Sequence, residues 1–210
     1  DMIRNGELLR RFSQTDVPAP PPEEPIRTKL TLEVGWGHRG KQTEWNVRFG
    51  LSKGAILAVE PRFRGLEVVS PLDHEACESG RTYHLSHWQR EGQRAVSFRT
   101  VTWGNPNNVT DAGQSMSLQI ESPPDEEVFA EINGKCVRLP LSRLLQGAYA
   151  DRIGPMESPS FRFYPAPLPH QFDWSFELQD RPSPAGSDTY YVRVRQKNDQ
   201  WAWSSPIRFR

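Results

Sequence analysis

Tyr190-Tyr-Val-Arg-Val-Arg-Gln-Lys-Asn-Asp-Gln-Trp-Ala-Trp-Ser-Ser-Pro-Ile-Arg-Phe-Arg210 is the stretch that decides the fold class. Tyr190, Val192 and Val194 alternate with Tyr191, Arg193 and Arg195, the period of a half-buried strand. Asn198 and Asp199 supply turn chemistry, because their short side chains bond nearby backbone and tolerate left-handed conformations. Trp201 and Trp203 then share one face of a returning strand. Pro206 has no amide hydrogen to donate and marks a sheet edge or an exit from the sheet. Terminal hairpins of this kind close many β-sandwiches, so at least one of the two tryptophans is expected in the core. The pattern names a fold and no reaction.

Working back from that end, short alternating segments follow one another. Thr28–Val34 sets Leu30, Leu32 and Val34 against Thr31 and Glu33; Glu44–Leu51 sets Trp45, Val47, Phe49 and Leu51 against Asn46 and Arg48. Ala55–Val59 and Leu66–Val69 are shorter candidates. Tyr83–Gln89 and Ala95–Trp103 pair about Arg90–Gln93, with either Tyr83, Leu85 and His87 or His84, Ser86 and Trp88 inward. Met116, Leu118 and Ile120 alternate with polar residues, and Asn133-Gly134 is a hairpin signal between Val128–Ile132 and Cys136–Leu139. Ser142–Ala150 is the one helix candidate, N-capped by Ser142 with Leu144 and Leu145 inward. Phe172, Trp174 and Phe176 alternate as a further strand.

Residues 1–25 read as an extended proline-rich connector, with Gly6 interrupting a short amphipathic run and Pro18–Pro25 favouring polyproline II. Residues 26–210 read as one β-sandwich with an irregular, aromatic-rich excursion over about 142–187. The nineteen prolines argue against long helices. The expectation is all-β: an immunoglobulin- or fibronectin-III-like sandwich with at most one short helix.

The 26 basic and 26 acidic residues balance, which gives no electrostatic footprint for nucleic acid. No apolar run approaches the ~20 residues of a membrane-spanning helix. Asp1, rather than Met, opens the sequence, as in a processed or excised fragment. Cys77 and Cys136 form one disulfide or stay as two thiols; spacing does not decide. Asn108-Val-Thr110 matches a glycosylation sequon.

Catalytic constellations are scarce. His84 and His87 are three apart on a strand and so point oppositely; Asp73, His74 and Glu75 are the nearest further ligands in sequence. Glu23-Glu24 and Glu126-Glu127 read as solvated pairs. Gly35-x-Gly37-x-x-Gly40 matches a dinucleotide fingerprint in letters, without the strand–helix context it needs. No catalytic residue, metal or cofactor is expected. Trp36, Trp88, Tyr191, Trp201 and Trp203 could make a stacking platform for sugars, although core and strand-face packing explains them more economically.

The terminal segment, with Trp45-x-Val-x-Phe-x-Leu-Ser-x-Gly54-x-Ile56, resembles the C-terminal β-rich region of bacterial proteins of unknown function in the polymerase-and-histidinol-phosphatase (PHP) superfamily. Tyr190-Tyr-Val-Arg-Val-Arg-Gln196 and Ala202-Trp-Ser-Ser-Pro-Ile207 carry the likeness, while Asp199-Gln200 departs from the family's Asp-Gly. The resemblance implies an upstream metal-dependent phosphoesterase-like barrel, whose His, Asp and Glu ligands have no counterpart here. It implies a non-catalytic accessory domain that packs on that upstream domain of the same polypeptide, with Phe161–Phe176 as the docking surface. A carbohydrate-binding module and a hydrolase with an unrecognised site are the alternatives.

Overall fold

The computed structural model describes residues 1–13, 24–36, 41–64, 86–104, 112–156, 158–172, 174–181, 184, 186–196 and 200–209. Of these, 59% lie in strands and 6% in helix, so the chain is all-β and sandwich-like. It divides into two compact units: Pro21–Phe172, and a second made of Asp1–Pro20 with Asp173–Arg210.

The strands in chain order are β1 (Met2–Arg4), β2 (Glu7–Arg10), β3 (Ile26–Gly35), β4 (Gln42–Leu51), β5 (Ala55–Arg62), β6 (His87–Glu91), β7 (Ala95–Trp103), β8 (Gly113–Ser122), β9 (Glu127–Ile132) and β10 (Lys135–Pro140). A single helical turn and a half, α1 (Leu141–Gln146), precedes β11 (Tyr149–Arg152) and β12 (Ser160–Phe163). β13 (Asp188–Arg195), β14 (Trp201–Trp203) and β15 (Ile207–Phe209) follow.

The larger unit is a two-sheet sandwich, β10-β9-β4-β7-β6 over β11-β12-β3-β8-β5, with every pair antiparallel. The pairs nest: β3 with β12, β4 with β9, β5 with β8, β6 with β7. A ribbon folded over two sheets in this way has the double Greek-key nesting of jelly rolls. The core follows from the alternation. Leu30, Leu32 and Val34 of β3, Trp45, Val47, Phe49 and Leu51 of β4, and Met116, Leu118 and Ile120 of β8 all point inward and are buried. Phe49 and Phe163 meet across the two sheets with ring centroids 6.4 Å apart. Gly50 is glycine because a Cβ there would lie 1.9 Å from the Arg94 carbonyl oxygen.

The Asn133-Gly134 hairpin forms as expected, with both residues at positive φ, the requirement of a type I′ turn. Asn133 also ties β4 down: its Nδ2 donates to the Glu44 carbonyl at 2.8 Å, and its Oδ1 accepts from the Asn46 amide at 2.7 Å. Asn133→Ala loses both bonds and carries a Cβ residue without a local hydrogen-bonding side chain into the left-handed region. The expected loss is about 1–2 kcal/mol, read from the denaturant midpoint. A change under about 0.3 kcal/mol would deny the turn this role.

Three expectations are corrected. Residues 2–10 are not connector: β1 and β2 form a hairpin about Asn5-Gly6, both at positive φ. The terminal strands do not close the sandwich. β13 pairs with β1 at Met2↔Val192, Ile3↔Tyr191 and Arg4↔Tyr190, making a separate sheet β14-β13-β1-β2 with β15 also on β13. The helix starts at Leu141 after Pro140, with no side-chain cap from Ser142, and its buried residues are Leu141 and Leu144; Tyr149 and Ala150 belong to β11.

Pro206 falls between β14 and β15, as its missing amide predicts; there the Ser204 hydroxyl accepts from the Val192 amide at 2.9 Å. Phe172, Trp174 and Phe176 are not a strand. Phe172 ends a 3-10 turn at Pro169–Gln171, and residues 174–181 belong to no helix or strand. That segment is fixed within its unit by the Phe12–Phe176 ring stack (4.0 Å) and by Asp180, which accepts from Arg4 at 2.8 Å and from the Tyr190 hydroxyl at 2.9 Å. The Tyr190 bond is the main reason the Asp180 carboxyl sits below its ordinary range. Leu66–Val69, Tyr83 and Leu85 lie outside the described residues.

Candidate functional site

The five aromatics of the expected sugar platform are divided between the two units. Trp88 stands on β6 in one sheet of the sandwich and Trp36 follows β3 in the other. Trp201, Trp203 and Tyr191 share one face of the terminal sheet, since Trp203 pairs with Arg193 and Trp201 with Arg195. The indoles of Trp201 and Trp203 stack on each other at 6.0 Å and 17°. The Arg193 and Arg195 guanidiniums lie over Trp201 at 5.2 and 5.3 Å, contacts of about 0.5–1 kcal/mol at exposed positions. A Trp201 ring so occupied does not present an open flat face. Trp203 is 61% exposed and Trp201 39%, so the expected core role fails for both.

On the opposite face of that sheet Val194, Ile207 and Phe209 are also exposed. Of the expected docking segment, Phe161 and Phe163 are instead buried in the sandwich core, while Phe172, Trp174 and Phe176 are exposed.

The sandwich carries two polar arrangements on its outer faces. On the β12-β3 side, Arg162 donates to the Glu33 carboxylate at 2.8 Å, and the Tyr164 hydroxyl donates to the same oxygen. Arg162 also donates to the Tyr164 hydroxyl and lies between the Tyr164 and Trp36 rings, 4.3 and 5.0 Å from their centroids. Glu33 is buried. Burial, and then the bond to Glu33, raise Tyr164 above the ordinary tyrosine range.

On the other sheet a shallow groove of about 540 Å³ is lined by Glu44, Asn46, His87, Arg99, Val101 and Asn133, with Trp45 and Thr100 beneath. Asn46 pairs with Arg99, and Arg99 with His87, so three adjacent strands present one row; Glu44 pairs with Val101 in the next. The register also settles the open choice on β6. His87 faces out, while Trp88 is opposite buried Phe98, and the Ser86 hydroxyl is 2.7 Å from that of Thr100 on the inner face. Of these groove residues, sequence motifs single out His87, Trp45 and Asn133. The signal for Glu44, Asn46 and Arg99 is that each occupies a polar position of an alternating strand.

Of the weighed metal ligands, Asp73, His74, Glu75 and His84 lie outside the described residues, as do Cys77, Asn108, Glu23, Gly37 and Gly40. Among the described residues no three His, Cys, Asp or Glu side chains are grouped to hold a metal ion. Glu126 is buried rather than solvated, and Cys136 is exposed on β10. No helix among the described residues is long and apolar enough to cross a membrane. Comparison with family models, curated proteins and solved structures found no match to this chain.

Proposed function

We propose that this chain is a non-catalytic accessory module that packs on, or positions, a neighbouring domain of the same polypeptide. The observation that supports this is the terminal sheet. Ile3 is its one buried large apolar residue among those described, while Trp201, Trp203, Val194, Ile207 and Phe209 are exposed over two faces. A sheet normally buries at least one apolar face against a second layer, and exposed apolar patches mark docking surfaces. The resemblance of Tyr190–Ile207 supplies the partner: an upstream, metal-dependent hydrolase-like domain. The likeness to immunoglobulin and fibronectin type III endings belongs to the same reading and to the same sheet.

Hydrogen exchange tests it, comparing this chain alone with the polypeptide extended by the sequence encoded before Asp1. Amides of 190–195 and 201–209 should slow by about tenfold or more in the longer protein, equivalent to about 1.4 kcal/mol of local stability. Equal exchange in the two proteins rejects the docking role. A carbohydrate-binding role is the second reading, favoured by the groove of the sandwich.

A further inference from the structure

We infer that the groove on the outer face of β4, β7 and β6 binds a neutral saccharide through Asn46, Arg99, His87 and Glu44. The site belongs to the sandwich, and it does not rest on the docking role of the terminal sheet.

The polar groups are available. The Asn46 side-chain amide, Arg99 guanidinium, His87 imidazole and Glu44 carboxylate have no side-chain partner among the described residues. Their neighbours, by contrast, are spent on one another: Arg48 pairs with Glu91 at 2.7 Å, and the Asn133 side chain holds β4. Strands lie about 4.8 Å apart, so the Asn46–Arg99–His87 row spans ~10 Å, and Glu44 with Val101 lies about 7 Å along the strands. That frame has the footprint of one or two sugar rings laid flat on the sheet.

The mixture of groups selects the ligand. Each sugar hydroxyl is one donor and two acceptors, and the groove offers both kinds. Arg99 donates, Glu44 accepts, and Asn46 does both. A phosphate or other strong anion would be set against the Glu44 carboxylate, and a metal cation against Arg99. Val101 gives an apolar floor for the carbon-bound hydrogens of a ring. A few convergent polar groups over an apolar base are the ordinary make-up of a small-ligand site.

Calorimetric titration and amide chemical-shift mapping with gluco-, galacto- and xylo-oligosaccharides test the assignment, with oligogalacturonate and inorganic phosphate as anionic probes. At least one neutral oligosaccharide should bind with a Kd of about micromolar to millimolar and shift amides around Asn46, His87 and Arg99. Arg99→Met and Asn46→Ala should each weaken it about tenfold or more with the unfolding midpoint unchanged, while Trp201→Ala and Trp203→Ala leave it unaltered. Binding of anionic probes alone, binding of no neutral oligosaccharide, or binding that follows the terminal tryptophans instead of Arg99 overturns the proposal.

Discussion

Replacing Phe163 with alanine is expected to remove about 3–5 kcal/mol of stability, while Trp203→Ala changes it by less than about 1 kcal/mol. The two residues have similar sequence settings, each an aromatic on a short alternating strand. Their surroundings differ. Phe163 is fully buried and reaches Phe49 on the facing sheet, so truncation leaves a cavity where the two sheets meet. Trp203 keeps more than half its surface in water, and its loss forfeits only the stack on Trp201. Against a net stability of about 5–15 kcal/mol, Phe163→Ala should leave the sandwich marginal. Urea unfolding followed by far-UV circular dichroism decides it. A Trp203→Ala midpoint as low as that of Phe163→Ala would return the terminal hairpin to the core.

Much of the sandwich is legible in the sequence because its strands are long enough to show their period. Leu30, Leu32 and Val34, or Met116, Leu118 and Ile120, declare an inner face without any tertiary information. Asn133-Gly134 declares its hairpin because few residues other than Asn, Asp and Gly accept two positive φ values in succession. Asn5-Gly6 makes the same statement, and reading Gly6 as the interruption of a short amphipathic run overlooks it. The reason is length: Met2–Arg4 and Glu7–Arg10 are three and four residues, too short for alternation, and the partner of Met2 is Val192. A pairing across that separation leaves no local mark.

The terminal tryptophans show a second limit. Period two establishes that Trp201 and Trp203 share a face, but not whether anything covers it. The groove shows a third. Asn46, Arg99 and His87 come from three strands, and only the register Asn46↔Arg99↔His87 makes them one row. A slip of one residue in β6 would turn His87 inward and dissolve the row. Charge and composition pointed to no ligand because the groove is itself nearly balanced in charge.

The second large effect concerns Arg162. Arg162→Met keeps most of the packing on Trp36 and Tyr164 but leaves the buried Glu33 carboxylate with the Tyr164 hydroxyl alone. Breaking a fully buried ion pair costs about 3–5 kcal/mol. Arg162 is 37% exposed and partly screened by water, so a loss of about 2–3 kcal/mol is expected here. The Tyr164 titration separates this from lost packing. Its raised folded value gives stability that is intact below about 10, the unfolded tyrosine value, and is lost as pH rises past it. Tyrosinate absorbance should show that late ionisation in the parent, and Glu33→Gln should bring it earlier by removing the carboxylate. An unmoved tyrosine titration in Glu33→Gln would reduce the Arg162 cluster to simple packing.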